Sequence, residues 1–563
     1  MLQAVSRPWL KNYPPGVSAD VDPSRYRSLV ELLEESFRRH ASRDAAACMG
    51  ARVSYAELDD ASAALGAWLQ SRGLPAGARV AVMLPNIPPC MVAIAAVLRA
   101  GFTVVNVNPL YTARELEHQL VDAGAEAIVV LENCAKTLSE VIDATAVRHV
   151  VLVSLGDMLG WWKGAAVRFA VRHLRRMVPA FELPLDAGRT VTRYDAAVLE
   201  GTRMGLRRPD VGPADIAFLQ YTGGTTGLSK GAMLQHRNVV ANILQAEEWF
   251  KPMLGRFGER QVAIVCALPL YHIFALTCCY LFGARQGMLN LLIPNPRDIP
   301  RFVRALQGRK IHMFPAVNTL FNALAHDPDF ARLDFSELAI SNGGGMAVQR
   351  STARKWLQVT GCPIVEGYGL SETSPIVTVN RPDTNEFTGT IGLPLPSTEV
   401  CIRDDDGRDV SMGEPGEICV RGPQVMAGYW NRPDETAAAM TPDGFFRSGD
   451  IGVMDDGGYV RIVDRKKDMI LVSGFNVYPS ELEQVASLHP GVLECAAIGV
   501  PDARSGEAVK LFVVKQDPAL SEDELAGYCA RHLAPYKRPR YIEFRDDLPK
   551  SSVGKILRRQ LKA

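Results

Sequence analysis

Apolar residues follow two different periods along this chain. From Tyr55 to Gly73 they recur at helical spacing, whereas Ala78 to Met83 and Glu126 to Leu131 are short, nearly continuous apolar runs. This alternation, sustained from Ser54 to about Gly201, predicts an α/β fold of parallel sheets covered by helices. The same texture returns from Val262 to about Pro394, with strands expected at Lys310 to Phe314 and Glu337 to Ser341. From Thr398 to Val463 it gives way to short strands separated by Asp/Gly turns such as Asp404 to Gly407 and Asp455 to Gly458, which predict a small antiparallel barrel or sheet. The charge cluster Asp464 to Asp468 reads as a domain junction or as a solvated turn, and the remainder as a compact α+β unit.

Composition narrows the class. A chain of 563 residues exceeds one core and suggests two to four units of about 100 to 200 residues each. A formal net charge of zero leaves no basic footprint for nucleic acid. The 11 cysteines are odd in number and lack metal-ligand spacing, so they read as core thiols in a reducing, cytoplasmic setting. Met1 to Pro15 lacks the layout of an export signal. Gln261 to Ala284 is uncharged, but Pro269, Tyr271 and His272 interrupt it, so a buried strand followed by a buried helix is expected rather than a membrane span. Met158 to Phe181, wound as a helix, gathers Arg168, Arg172, Arg175 and Arg176 on one arc, with Trp162, Phe169, Leu174 and Met177 mostly elsewhere. Two readings fit: a surface helix in peripheral contact with an anionic membrane, or a basic helix docked on the protein's own core.

The densest chemistry lies in Tyr221-Thr-Gly-Gly-Thr-Thr-Gly-Leu-Ser-Lys-Gly-Ala232. Gly223, Gly224 and Gly227 let a backbone approach a ligand, Thr222, Thr225 and Thr226 supply hydroxyl donors, and Lys230 supplies a compact positive charge, as a phosphate cradle requires. The spacing is not that of a Walker A loop, because Lys230 follows Ser229 and precedes Gly231. Short apolar strands, Ile216 to Gln220 and Gly231 to Leu234, are expected to hold the loop at both ends.

Further blocks follow in order: Leu268 to His272, Gly343 to Met346, Glu366 to Thr373, Arg447 to Asp450, Ile462 to Ile470, Val472 to Pro479 and Pro549 to Lys555. Together with the glycine-rich loop they resemble the adenylate-forming superfamily, and within it the bacterial long-chain fatty acyl-CoA synthetases, over most of the chain. Arg7 to Tyr26, Val107 to Tyr111 and Leu291 to Pro300 share in the resemblance to that branch. Ser229 departs from it, since many relatives have proline there.

The resemblance implies an adenylate-forming fold: a large N-terminal domain of two α/β lobes with a small β-barrel (1–463, the barrel at about 398–463), a hinge at 464–467 within which Asp464 and Lys467 lie, and a mobile α+β domain (468–563). It also implies a two-step reaction in which a fatty-acid carboxylate attacks the α-phosphorus of ATP to give acyl-AMP and pyrophosphate, and the thiol of coenzyme A then displaces AMP. By the same resemblance Thr222 and Glu372 hold Mg2+, Thr373 faces the α-phosphate, Gly367 and Tyr368 contact the adenine, and Asp450 and Arg465 hold the ribose. Lys555 is the adenylation lysine, His272 reaches or gates the acyl carboxylate, and Gly474 lines the pantetheine tunnel. Gly343, Gly344, Gly345 and Val317, with Thr319, Leu320 and Phe321, are expected to wall an acyl passage. The expected partners are fatty acid, ATP and coenzyme A, with an anionic membrane and a second copy of the chain as further candidates. The rivals are a fatty acyl-AMP ligase that loads an acyl carrier protein and a catalytically silent lipid binder.

Overall fold

The structure, a computed structural model, describes residues 6–183, 188–222, 229–473, 475–502, 504–551 and 554–562. Two large sheets carry the body of the molecule. The first has seven strands in the spatial order Thr190–Arg193, His149–Val153, Ala127–Leu131, Arg79–Met83, Thr103–Asn106, Ile216–Thr222 and Lys230–Gln235. All pairs are parallel except the last, an antiparallel hairpin that holds the glycine-rich segment at both ends as expected. The second has nine strands: Leu393–Pro394, Ile376–Val379, Ile364–Gly369, Ile340–Gly343, Met313–Ala316, Ala263–Cys266, Leu289–Leu292, Asp44–Cys48 and Ala51–Ser54. Its six central strands are parallel.

Helices fill the faces of these sheets. Tyr55–Gln70 starts at a capping box in which Ser54 and Glu57 satisfy each other's backbone, and Leu58, Leu65, Trp68 and Leu69 on it are buried. Pro88–Arg99 is buried on every side, which explains why its only charged residue is the last, Arg99, paired with Glu34 and Asp59. The uncharged run resolves into the strand Ala263–Cys266 and a helical stretch from Ile273 to Gln286 whose middle, Leu276–Leu281, is π-helical. No helix among the described residues is long and apolar enough to cross a membrane.

Two expected strands are displaced. Lys310 to Phe314 becomes Met313–Ala316, and Glu337 to Ser341 becomes Ile340–Gly343, because pairing of Met313 with both Ile264 and Ile340 sets the ladder three residues later than the apolar runs suggest. The segment expected as a small antiparallel barrel or sheet is an antiparallel sheet of Glu399–Arg403, Gly416–Arg421, Phe446–Met454 and Val460–Arg465. Four strands are too few to close on themselves. The N-terminal segment packs on it instead: Lys11 and Asn12 donate to the carbonyls of Asp456 and Gly457, and Arg7 pairs with Glu399. A last sheet joins Phe475–Val477, Ile470–Val472, Gly506–Lys515, Val492–Asp502 and Tyr541–Arg545, with helices Pro479–Ala486 and Glu522–His532.

All 11 cysteines are free, and nine are buried. In the segment from Met158 to Phe181, Trp161–Phe169 is α-helical and Ala170–Leu174 π-helical. Arg168 turns inward to Asp157 at 3.1 Å and Arg172 to the buried Glu132 at 2.8 Å. Half of the expected basic arc is thus docked on the protein itself.

Candidate active site

Ligands of open parallel sheets bind beyond the carboxyl ends of the strands. Here the ends of Ile216–Thr222 and Ile364–Gly369 carry the predicted chemistry, and the short turn Ser371–Thr373 packs beside the hairpin of Ile216–Thr222 and Lys230–Gln235. Tyr368, near the end of its strand, donates to Asp450 Oδ2 at 2.6 Å. Burial, and then the Asp450 carboxylate, push its phenol well above the ordinary value, so it remains a donor. Asp450 stands opposite Arg465 on the neighbouring antiparallel strand, its Oδ1 3.4 Å from Arg465 Nε. The expected ribose pair and the expected adenine contact therefore form one cluster. At Gly367 an added Cβ would lie 3.3 Å from the carbonyl of Thr378, so this strand needs a glycine to sit close to its neighbour.

Glu372 is buried in the turn. Burial raises its carboxyl, and a hydrogen bond from Tyr429 Oη at 2.7 Å acts in the opposite direction. Lys230 begins its strand opposite Thr222, pairs with Glu435, and lies 5.2 Å from the centroid of the Tyr429 ring. Tyr429 thus touches both the lysine and the carboxylate, a role with no sequence signal because it is a lone tyrosine in a loop. That loop is tied to the hairpin by Met233 N–H to Gly428 O at 2.9 Å and Trp430 N–H to Gly231 O at 2.8 Å. The desolvated Glu372 carboxylate and the Thr222 hydroxyl are hard oxygen donors of the kind magnesium takes alongside phosphates.

Lys555 reaches the cleft from the far end of the chain. Its turn is held by Thr319 Oγ1, which donates to Gly554 O at 3.0 Å, and by Ser551 Oγ, which accepts from Lys555 N–H at 3.1 Å. Its side chain is half-buried, and burial, then the charge of Arg465, depress the ammonium to about 7, with Asp450 opposing. His272 caps the helix that follows it, its Nδ1 accepting from Phe274 N–H at 3.3 Å, which leaves Nε2 as the protonated nitrogen. Burial, and then the nearby Lys555, hold its imidazolium at about 4, so it is neutral at physiological pH.

Several expected roles are placed differently. The Thr373 hydroxyl is fully buried, accepts from Leu370 N–H at 3.0 Å and has the carbonyls of Leu370 and Pro375 within reach of its one proton, which ties it into its own turn. At Gly343 an added Cβ would meet Val348 at 2.7 Å and Ile364 at 2.8 Å, so the missing side chain lets these neighbours pack close. At Gly344 the same construction meets Phe274 at 3.0 Å, and at Gly345, where φ is +76°, it meets Val317 at 3.5 Å. Phe321 is core, packed at 4.7 Å on Trp356, and Val317 and Thr319 face the Gly554 turn. At the expected hinge, Asp464 accepts from the N–H groups of Arg465 at 2.7 Å and Ser480 at 2.8 Å and faces Arg558 at 3.6 Å. Burial, and then Arg465, lower the ammonium of Lys467. Gly223, Gly224, Thr225, Thr226, Gly227 and Gly474 lie outside the described residues.

The chain is similar over nearly its whole length to characterised proteins. It is 53% identical to the long-chain-fatty-acid--CoA ligase of Escherichia coli O157:H7, covering 98% of this chain and 97% of that one. With the Bacillus subtilis protein of the same name it is 36% identical, over 99% and 97% of the two chains. Among solved structures, ATP-bound MatB from Rhodopseudomonas palustris superposes with a TM-score of 0.78 at 28% identity, over 95% of this chain and 98% of that one. A benzoate CoA ligase from Burkholderia xenovorans LB400 gives 0.79 at 25% identity, over 94% and 99%. The family model of the AMP-binding enzymes matches residues 33–430 and that of their C-terminal domain residues 481–555, so the chain belongs to the AMP-binding enzyme family.

Proposed function

We propose that this protein is an acid–thiol ligase that converts medium- to long-chain fatty acids, ATP and coenzyme A to acyl-CoA, AMP and pyrophosphate through an acyl-AMP intermediate. The observation that carries the reading is that Lys555, its turn bonded to Thr319, lies near enough to His272 and to the Asp450–Arg465 pair for their charges to act on one another. In the first step a carboxylate oxygen bonds to the α-phosphorus and the bond to the pyrophosphate oxygen breaks. Two anions must approach, and the chain supplies the cations and donors that permit it. The Lys555 ammonium bridges the attacking carboxylate and the α-phosphate, where charge builds. His272, neutral and with its proton on Nε2, donates to a carboxylate oxygen rather than removing a proton. Lys230 serves the outer phosphates, exchanging Glu435 for them, while Tyr368, Asp450 and Arg465 hold the nucleoside. Glu372 and Thr222 would hold Mg2+, which when bound masks phosphate charge. In the second step the coenzyme A thiol attacks the acyl carbon and AMP leaves.

The test is incubation of the purified chain with magnesium ATP, coenzyme A and fatty acids of graded length, with products identified by mass spectrometry. Acyl-CoA with a maximum at medium to long chain length is expected. Acyl-AMP without thioester, transferred only to a phosphopantetheinylated carrier protein, would replace this reading with the carrier-loading one.

A second reading concerns where the substrate is met. Trp161 and Trp162 are 70% and 72% exposed and stack at 3.8 Å, and Phe169, Leu174 and Met177 beside them are exposed too. Arg175 and Arg176 add exposed positive charge. This patch supports peripheral contact with an anionic bilayer, made by aromatic side chains first and by charge second.

A further inference from the structure

The Lys230 ammonium has a carboxylate partner from the chain itself. The segment Ala427 to Trp430 lies along the strand Lys230–Gln235 as a short extra edge, with Ala427 N–H donating to Met233 O at 3.0 Å, Met233 N–H to Gly428 O at 2.9 Å and Trp430 N–H to Gly231 O at 2.8 Å. Tyr429 stands opposite Ala232 in this pairing. The helix Pro433–Ala439 follows, anchored by Thr436, whose Oγ1 accepts from Tyr429 N–H at 2.9 Å and donates to Arg432 O at 2.8 Å. That anchoring brings Glu435, in the first turn of the helix, to Lys230, which pairs with its Oε2.

The two oxygens of Glu435 have different partners. While Oε2 takes Lys230, Oε1 lies 3.6 Å from Nε of Arg432, three residues earlier. Arg432 is itself steadied by Asp122 at 3.3 Å, and Asp122 accepts from the Tyr221 hydroxyl at 2.6 Å. A phosphate that takes Lys230 therefore strands neither charge: Glu435 keeps Arg432, and the lysine exchanges one anion for another. The side chains of Lys230 and Glu435 are 35% and 39% exposed, so this is a solvated ion pair, weak enough to be exchanged. A compact ammonium on a flexible stem changes partners readily.

We propose that Glu435 is a positioning residue that competes with the pyrophosphate end of the nucleotide for Lys230, loosening the hold on ATP and hastening the departure of pyrophosphate. The competition acts through the ammonium and not through the general field of a surface carboxylate, which Asp434, exposed on the same turn, exerts as well. This rests on the ligase reading above and on its assignment of Lys230 to the outer phosphates.

Glu435→Gln keeps the size of the side chain and removes its charge. Binding of inorganic pyrophosphate to the full chain, with magnesium present, is measured by calorimetry, and KM for ATP and kcat are measured at saturating fatty acid and coenzyme A. Glu435→Gln should tighten pyrophosphate about three- to fivefold, the range open to an exposed ion pair, and lower KM for ATP in similar proportion. In the same variant kcat should not rise, because the product leaves more slowly. Asp434→Asn, the same change of charge one residue away, should shift pyrophosphate binding less than about 1.5-fold, since solvent and salt screen it. In a Lys230→Met background Glu435→Gln should also have less than about 1.5-fold effect, because the ammonium it competes for is gone. Unchanged affinity in Glu435→Gln, an equal gain from Asp434→Asn, or a gain that persists with Lys230→Met would each overturn the proposal. Absence of fatty-acid-dependent ATP–pyrophosphate exchange in the unsubstituted chain would instead overturn the ligase reading.

Discussion

Single residues at this site are tuned by burial more than by partners. Glu366 sits inside the strand Ile364–Gly369 with only Val348 N–H, at 3.2 Å, among its side-chain hydrogen bonds, and burial pushes its carboxyl from 4.5 up to about 8. A carboxyl whose value is raised on folding costs nothing below about pH 4.5, where both states are protonated. Between there and about 8 the unfolded chain ionises alone, and stability falls by about 1.4 kcal/mol per pH unit. Glu366→Gln keeps the acceptor and abolishes the titration. The variant should match the parent in denaturant melts near pH 4 and exceed it at pH 8, by at most about 4 kcal/mol. Superimposable pH profiles would show that Glu366 is solvated in solution. Lys555 is tuned in the opposite direction, burial and then Arg465 depressing it to about 7. The negative charge of ATP and fatty acid will raise it, so it becomes fully charged when needed. Lys555→Ala should lower adenylate formation about a hundredfold or more, the scale for removing one transition-state donor. Pyrophosphate release at the parental rate in that variant would remove the lysine from the mechanism.

At the scale of elements, the stretch Trp161 to Met177 separates two ideas that its sequence merged. The arginines at helical spacing suggested a basic face, but a guanidinium on a long stem finds any buried carboxylate within reach, and Asp157 and Glu132 claim two of them. The aromatic residues have no such partners and remain outside. Replacing Trp161 and Trp162 together with serine should therefore weaken co-sedimentation with anionic vesicles at least about tenfold, while leaving turnover of a water-soluble short acid unchanged. High salt should weaken only the share owed to Arg175 and Arg176. Undiminished vesicle binding by the double variant would exclude this stretch as the contact. The displaced strands Met313–Ala316 and Ile340–Gly343 teach a related lesson. An apolar run says that a segment is buried, whereas the ladder it joins is chosen by neighbours distant in sequence.

For the whole molecule, the Gly554 turn is bonded to Thr319, and on the proposed ligase reading this arrangement serves the first half-reaction, in which Lys555 acts. Thioester formation needs a route for pantetheine, and the resemblance places Gly474 on it, with the hinge at 464–467 allowing the C-terminal unit to turn. On that reading Gly474→Leu keeps adenylate formation and loses acyl-CoA formation, because a side chain there blocks the thiol. Measuring pyrophosphate release and acyl-CoA in parallel decides it, and equal loss of both contradicts the division of labour. Asp464, tied to Ser480 and facing Arg558, links the hinge to the C-terminal unit.

The sequence by itself determined what depends on local order: the α/β lobes, the hairpin around the glycine-rich segment and the family, and it nominated Lys230, Tyr368, Glu372, Asp450, Arg465 and Lys555 as candidates for the site. These are legible because strand and helix periods are short-ranged and because the motifs combine charge, hydroxyl and glycine at fixed spacing. The tertiary structure decided which groups meet. Tyr429 beside Lys230 and Glu372, Thr319 on the Lys555 turn, and Gln220 on the Tyr271 carbonyl pair residues 51 to 235 positions apart, and the identity of neither partner announces the other. It also showed the Thr373 hydroxyl bonded within its own turn, Gly343 packed close to Val348 and Ile364, and Phe321 against Trp356, because the neighbours of a hydroxyl, a glycine or a ring are brought there by other strands. Hydrogen-bond satisfaction and close packing are settled only when the whole chain is folded.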